Sequence, residues 1–140
     1  MYLDYDHLHL YVKNYNRYKN AIKRLELEIE ELETMINPKG INYDKPVSAS
    51  TSDGKFKIQC FHEINEKQDQ MEKIERMVKS VDHCIDWVNK KEKPLEFHII
   101  TERRNGKTLE QIAESLNYSI NAIDNRYRKT INEYLVNYHA

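Results

Sequence analysis

The stretch Gly106-Lys107-Thr108-Leu109-Glu110-Gln111-Ile112-Ala113-Glu114-Ser115-Leu116-Asn117-Tyr118-Ser119-Ile120-Asn121-Ala122-Ile123 decides the fold. Thr108 and Gln111 stand at capping-box spacing: the hydroxyl accepts from the Gln111 amide, and the Gln111 side chain reaches back. The helix that starts there places Leu109, Ile112, Ala113 and Leu116 on one side. Asn117-Tyr118 reads as a tight turn. Ser119 caps the next helix, which carries Ile120, Ile123, Tyr127, Ile131 and Tyr134 along its inner face. A short helix, a turn of about three residues and a longer capped helix make a helix-turn-helix. Ala113 is small where the two helices would cross closely. Upstream, Pro94 suits the first turn of a further helix. Leu95 to Arg104 then turns Leu95, Ile99 and either Phe97 or Ile100 inward, and Asn105-Gly106-Lys107 closes it with a turn. Residues 94–140 thus read as a three-helix module.

The outer face of the last helix offers Asn121, Asn125, Arg128 and Lys129, with Arg126 at the flank. Asn and Arg match adenine and guanine edges in the major groove, and Lys129 and Arg126 suit phosphates. The first turn reaches deepest, which makes Asn121, Ala122 and Asn125 the candidate base readers. With Thr108 and Ser119 at the two helix starts, the DNA-binding candidates are Thr108, Ser119, Asn121, Ala122, Asn125, Arg126, Arg128 and Lys129. Two features oppose DNA. Residues 94–140 hold six basic and six acidic side chains, and Asp124 stands on the face that would meet phosphate.

The remainder of the chain reads as residues 1–90, a helical coiled-coil or oligomerisation region. With Ile22 as position a, the a and d positions are Leu8, Tyr11, Tyr15, Tyr18, Ile22, Leu25, Ile29, Leu32 and Ile36, all apolar or Tyr. No Gly or Pro interrupts Asp6 to Ile36, which predicts one helix about 43 Å long from Leu8 to Ile36. A flexible loop follows at about 37–57, marked by Asn37-Pro38-Lys39-Gly40, Pro46 and a Ser-rich run. A second helical segment runs from about Ile58 to Lys90. Its seam is Ile64, Lys67, Met71, Ile74, Val78, Val81, Ile85 and Val88, broken only by Lys67 and widened by Met77, Cys84 and Trp87. The simplest arrangement is a helical hairpin that also packs against a second copy. The basic block Lys13, Arg17, Lys19, Lys23, Arg24 precedes the acidic block Glu26, Glu28, Glu30, Glu31, Glu33. An antiparallel partner, within the chain or between chains, would set opposite charges against each other. Asn89 to Pro94 reads as a hinge.

Composition narrows the classes. The chain has 140 residues, with 22 Lys and Arg against 23 Asp and Glu, too balanced for a sequence-blind nucleic-acid coat or a polybasic membrane binder. Three Gly and three Pro are too few for the turns of an all-β domain, so the fold class is all-α. No run of apolar residues reaches a membrane span. Met1 to Leu10 holds two Asp, two His and two Tyr rather than a basic-then-apolar pattern, which predicts a cytoplasmic protein. Cys60 and Cys84 are 24 residues apart in helical pattern and read as reduced packing residues. The six His share no ligand spacing, and no HExxH, P-loop, GxSxG or paired-carboxylate constellation is present. No metal, cofactor or catalytic residue is therefore expected, and the chain does not read as an enzyme.

The stretch from Gly106 to Ile123 resembles region four of bacterial sigma factors, whose pattern is roughly G-hydroxy-x-E-E-I-A-x-x-L-G-x-S-x-x-T-V. Gly106, Thr108, Glu110, Ile112, Ala113, Leu116 and Ser119 match, Ile123 matches conservatively, and Arg126 falls where that family commonly has a basic residue. Asn117 replaces the usual Gly and can adopt the same left-handed turn. Ala122 replaces the usual Thr and removes a hydroxyl. No counterpart of the promoter-melting region two is present. The whole layout resembles the RinA/ArpU-type regulators of bacteriophages and phage-related islands, which join an N-terminal coiled coil to a sigma-like helix-turn-helix. Ile41-Asn42-Tyr43-Asp44 before the Ser-rich loop also looks like that group.

The resemblance implies a sequence-specific DNA-binding transcription regulator. Such proteins activate late operons for packaging and morphogenesis. The implied partners are promoter DNA, a second or further copy of the chain, and bacterial RNA polymerase, in the cytoplasm of a bacterial host. A single near-neutral module binds weakly, and two linked modules recover affinity through effective concentration. The alternative is a helical adaptor that binds a host or phage protein such as RNA polymerase without reading DNA. Its contacts would be Asp124 and the acidic run from Glu26 to Glu33.

Overall fold

The computed structural model describes residues 2–36 and 51–140. These form α1 (Tyr5–Lys13), α2 (Tyr15–Ile36), α3 (Thr51–Lys90), α4 (Pro94–Arg104), α5 (Leu109–Leu116) and α6 (Ile120–Tyr138). The all-α expectation holds among the described residues.

The expected single N-terminal helix is two helices. Asp4 caps α1, its carboxylate accepting from the His7 amide at 2.9 Å. The break falls at Asn14, whose side-chain amide also donates to the Leu10 carbonyl at 3.1 Å. A short polar side chain competing for the backbone ends a helix in this way. The expected loop at about 37–57 also overlaps a helix, because α3 starts at Thr51 rather than near Ile58. The Asn37-Pro38-Lys39-Gly40 turn and the Ile41–Asp44 segment lie outside the described residues.

The chain divides into two compact units, Met1–Lys19 with Glu75–Ala140, and Asn20–Ile74. The first unit joins α1 and the end of α3 to the C-terminal helices. Its core takes Leu8, Tyr11 and Val12 from α1, Val81, Cys84 and Ile85 from α3, and Ile99 and Ile100 from α4. Ile112 and Ala113 of α5 and Ile123, Tyr127, Ile131, Tyr134 and Leu135 of α6 complete it. Leu8 and Tyr11 therefore fill this core rather than a seam between copies, and Tyr15 and Tyr18 pack half-buried against the same core. Val12, which stands on neither heptad position, is fully buried. That gives α1 the wide apolar face of a globular helix. Burial also raises the Cys84 thiol to about 12, which keeps it protonated and inert.

In the second unit, α2 and α3 pack through Ile29 and Leu32 against Cys60 and Ile64, with Ile36 and Met71 at the margins. Leu25 is also buried, and Ile22 is half-buried. Lys67, the polar interruption in the α3 seam, reaches Glu28 with its Nζ at 2.8 Å. That hydrogen bond holds the Glu28 carboxyl below its ordinary range. Both cysteines are buried and unbonded.

Candidate nucleic-acid interface

The helix-turn-helix is built from local signals. At the end of α4, Gly106 has φ +99°. Its amide donates to the Arg103 carbonyl and the Lys107 amide to the Glu102 carbonyl, each at 3.1 Å. This pair of bonds closes the helix with a Schellman motif, which needs a left-handed residue. Arg103 adds a bond from its guanidinium to the Lys107 carbonyl at 3.0 Å.

The capping box then opens α5. The Gln111 amide donates to the Thr108 hydroxyl at 3.1 Å, and the Thr108 amide donates to the Gln111 side chain at 3.0 Å. At its far end Asn117 takes φ 60° and ψ 38°. The Tyr118 amide reaches the Ala113 carbonyl at 2.9 Å, and the Asn117 amide reaches that of Glu114 at 3.2 Å. Asn is the residue other than Gly that enters this region most readily, so the turn keeps its geometry without a glycine. Ser119 caps α6 by accepting from the Ala122 amide at 3.2 Å.

Helix α6 buries Ile123, Tyr127, Thr130, Ile131, Tyr134 and Leu135. Ile120, expected on that inner face, is instead 48% exposed, because it stands at the first helical position before the core begins. Two polar tethers fix the buried side. The Tyr127 hydroxyl lies 2.9 Å from His9 Nδ1 of α1, and the Tyr134 hydroxyl 2.6 Å from His83 Nδ1 of α3. Burial pushes both phenols above their ordinary pKa, so they stay protonated. His139 of the C-terminal end reaches the Leu3 carbonyl at 2.6 Å. These three histidines thus serve packing, and among the described residues no group of three or more His, Cys, Asp or Glu is arranged to hold a metal.

The opposite side of α6 is a polar stripe. Asn121, Asn125 and Lys129 are exposed and one turn apart, and Asn132 continues the line. Asn132 was missed by the sequence reading, although its spacing of eleven residues from Asn121 places it on the same side. Ala122 is half-buried toward α4. The other candidates split to the two flanks. Arg126 turns to α4 and meets Glu96 at 3.1 Å, with its guanidinium 5.9 Å from the Tyr118 ring. Arg128 turns to α1, chelated by both Asp124 oxygens at 3.1 and 3.2 Å and lying 5.4 Å from the Tyr5 ring. Thr108 and Ser119 are exposed, but their hydroxyls are engaged as caps.

The structure therefore brings Asn121, Asn125 and Lys129 together and holds Arg126 and Arg128 in ion pairs beside them. Lys107 is likewise paired, with Glu102 at 2.6 Å. Asp124 lies beside Arg128 and neutralises it rather than standing alone on the stripe. Among the described residues no helix is long and apolar enough to cross a membrane. No protein-family model matches the chain, and no curated protein or solved structure matches it.

Proposed function

We propose that the chain is a sequence-specific DNA-binding transcription regulator that reads the major groove with the start of α6. One observation carries this reading: a capped helix, a left-handed Asn117 turn and a second capped helix hold Asn121 and Asn125 outward on a rigid, buried base. An amide side chain is matched to adenine N6 and N7, and helix placement gives it the reach. The resemblance to RinA/ArpU-type regulators makes promoters of late packaging and morphogenesis operons the first DNA to test, and activation in the bacterial cytoplasm the expected role. Self-association belongs to the same proposal. It would use the second unit, where Leu27, Met35, Ile58 and Phe61 are large, apolar and more than half exposed.

The test is selection from a randomised double-stranded pool, followed by binding to the selected duplex. Wild-type protein should enrich one motif. The double variant Asn121→Ala, Asn125→Ala should bind that duplex at least about tenfold more weakly and keep its residual affinity for unrelated DNA, since each lost base contact removes about 1–3 kcal/mol of discrimination. Failure to enrich any motif sinks the proposal.

The adaptor reading is favoured by one feature. Glu26, Glu30, Glu31 and Glu33 of α2 are all exposed, an acidic surface suited to a basic protein such as a polymerase subunit. Promoter activation that survives the double Asn variant would select it.

A further inference from the structure

A groove of about 620 Å³ runs along the flank of α6 between the end of α3 and the start of α4. Trp87, Lys91, Lys93, Lys129, Asn132, Glu133 and Val136 line it. A second groove of about 370 Å³ adjoins it through Lys93, Lys129 and Glu133 and extends to Glu96, Asn125 and Ala122. The cleft is thus continuous with the polar stripe of α6.

The cations around it are unevenly neutralised. Lys93 is held by Glu133 at 2.8 Å. Arg126, Arg128 and Lys107 each have a carboxylate of their own. Lys91 and Lys129 have none within ion-pair distance among the described residues. Lys91 instead lies 5.5 Å from the Trp87 ring. Lys91 and Lys129, neither held in an ion pair, therefore stand on one groove beside the proposed base readers, with the Glu133 carboxylate on the same groove near enough to interact with Lys129.

We propose that this groove is a phosphate-backbone clamp, in which Lys91 and Lys129 grip the DNA strand that flanks the major groove entered by α6. The inference rests on the DNA-binding reading and adds a segment that the sequence presents only as a hinge. A strand following α6 meets Asn125, Lys129 and Asn132 in order, and Lys91 faces it from the other wall. Phosphate contacts of this kind fix register and add affinity without reading sequence. They also give a module with balanced charge two cations, not held in ion pairs, that can neutralise phosphates and release counterions on binding.

The test uses the full chain and a mixed-sequence 30-base-pair duplex, with affinity followed by anisotropy as salt is raised from about 50 to 200 mM. The variant Lys91→Gln, Lys129→Gln should flatten the log–log salt slope by roughly two and weaken binding about tenfold or more. Lys79→Gln, an exposed lysine elsewhere on the same unit, should leave the slope unchanged. Trp87 is the only tryptophan of the chain, so duplex should change its emission in wild type and not in the double variant. A wild-type slope in the double variant, or an equal loss in Lys79→Gln, overturns the clamp. The unchanged slope would leave the groove to an acidic protein partner. If wild-type protein binds no duplex at all, the DNA-binding reading fails and the clamp with it. If it binds and the slope is unchanged, only the clamp fails.

Discussion

The two units of the chain bury very different cores from similar helices. In the unit formed by Met1–Lys19 and Glu75–Ala140, Leu8, Val12, Val81, Cys84, Ile112, Ile123 and Ile131 are all at 0% exposure. In Asn20–Ile74, the central Ile29, Leu32, Cys60 and Ile64 keep 3–8%. Five helices enclose a volume, whereas two share only a seam, so a side chain in the first unit is covered on every side. The difference teaches that heptad spacing does not by itself identify a coiled coil. The same register from Leu8 to Ile36 serves a globular core at one end and a helix pair at the other.

The largest expected effect tests that contrast. Leu8→Ala empties a fully covered site and should cost about 3 kcal/mol of global stability. The loss should appear in urea unfolding followed by Trp87 emission and should not depend on protein concentration. If Leu8 were instead a seam residue between copies, the loss would shrink as concentration rises. Ile29→Ala should cost about 2 kcal/mol at a less enclosed site. Hydrogen exchange should place its effect in α2 and the first half of α3, with the Trp87 transition nearly unmoved. Equal shifts of that transition by both variants would break the comparison.

What was legible in the sequence follows from the range of the interactions. The helix-turn-helix was readable because its signals are local. Thr108 and Gln111 are three residues apart, Ser119 caps its own helix, and Asn117 needs no distant partner to adopt a left-handed turn. The role of α1 was not readable, because Leu8 and Tyr11 meet α4 and α6 across more than eighty residues of chain. Over two turns a period of 3.5 and one of 3.6 are indistinguishable. The one available sign was Val12, an apolar residue off the seam that widens the face. On the candidate site, Asn121 and Asn125 stand as expected because backbone geometry alone sets their direction. Arg126 and Arg128 do not, because long side chains turn toward whichever carboxylate and ring the fold brings near. Glu96, Tyr5 and Asp124 decided that.

A cap variant asks whether the first unit melts as one body. Thr108→Ala removes the hydroxyl that accepts from the Gln111 amide and should cost about 1 kcal/mol. Thr108 stands in a different helix from Trp87. A cooperative unit should nevertheless show the same loss of stability by Trp87 emission and by hydrogen exchange of the α5 and α6 amides. Unequal losses by the two would divide the unit and restore an independent module at residues 94–140.

The smallest effect concerns the tether between α1 and α6. His9 is half-buried, stacked on Tyr5 and hydrogen-bonded to the Tyr127 hydroxyl. Burial, and then the positive charges of Arg103, Lys13 and Arg128, lower its pKa below the ordinary 6.5, with only Asp124 opposing. Because the folded state favours neutral His9, the unfolded chain binds more protons as the pH falls through 6.5. The contribution of this residue is therefore complete above that value and is lost on acidification, until the folded imidazole itself protonates. Protonation would place a positive charge in this half-buried site beside Arg103, Lys13 and Arg128. Lowering the pH from about 7 to about 5.5 should thus reduce the thermal midpoint by a few degrees in wild type and by less in His9→Gln. Among the described residues no histidine packs into the α2–α3 core of the second unit, so hydrogen exchange there should not follow the same pH dependence. An identical acid shift in wild type and His9→Gln would remove this tether from the account of why α1 belongs to the helix-turn-helix.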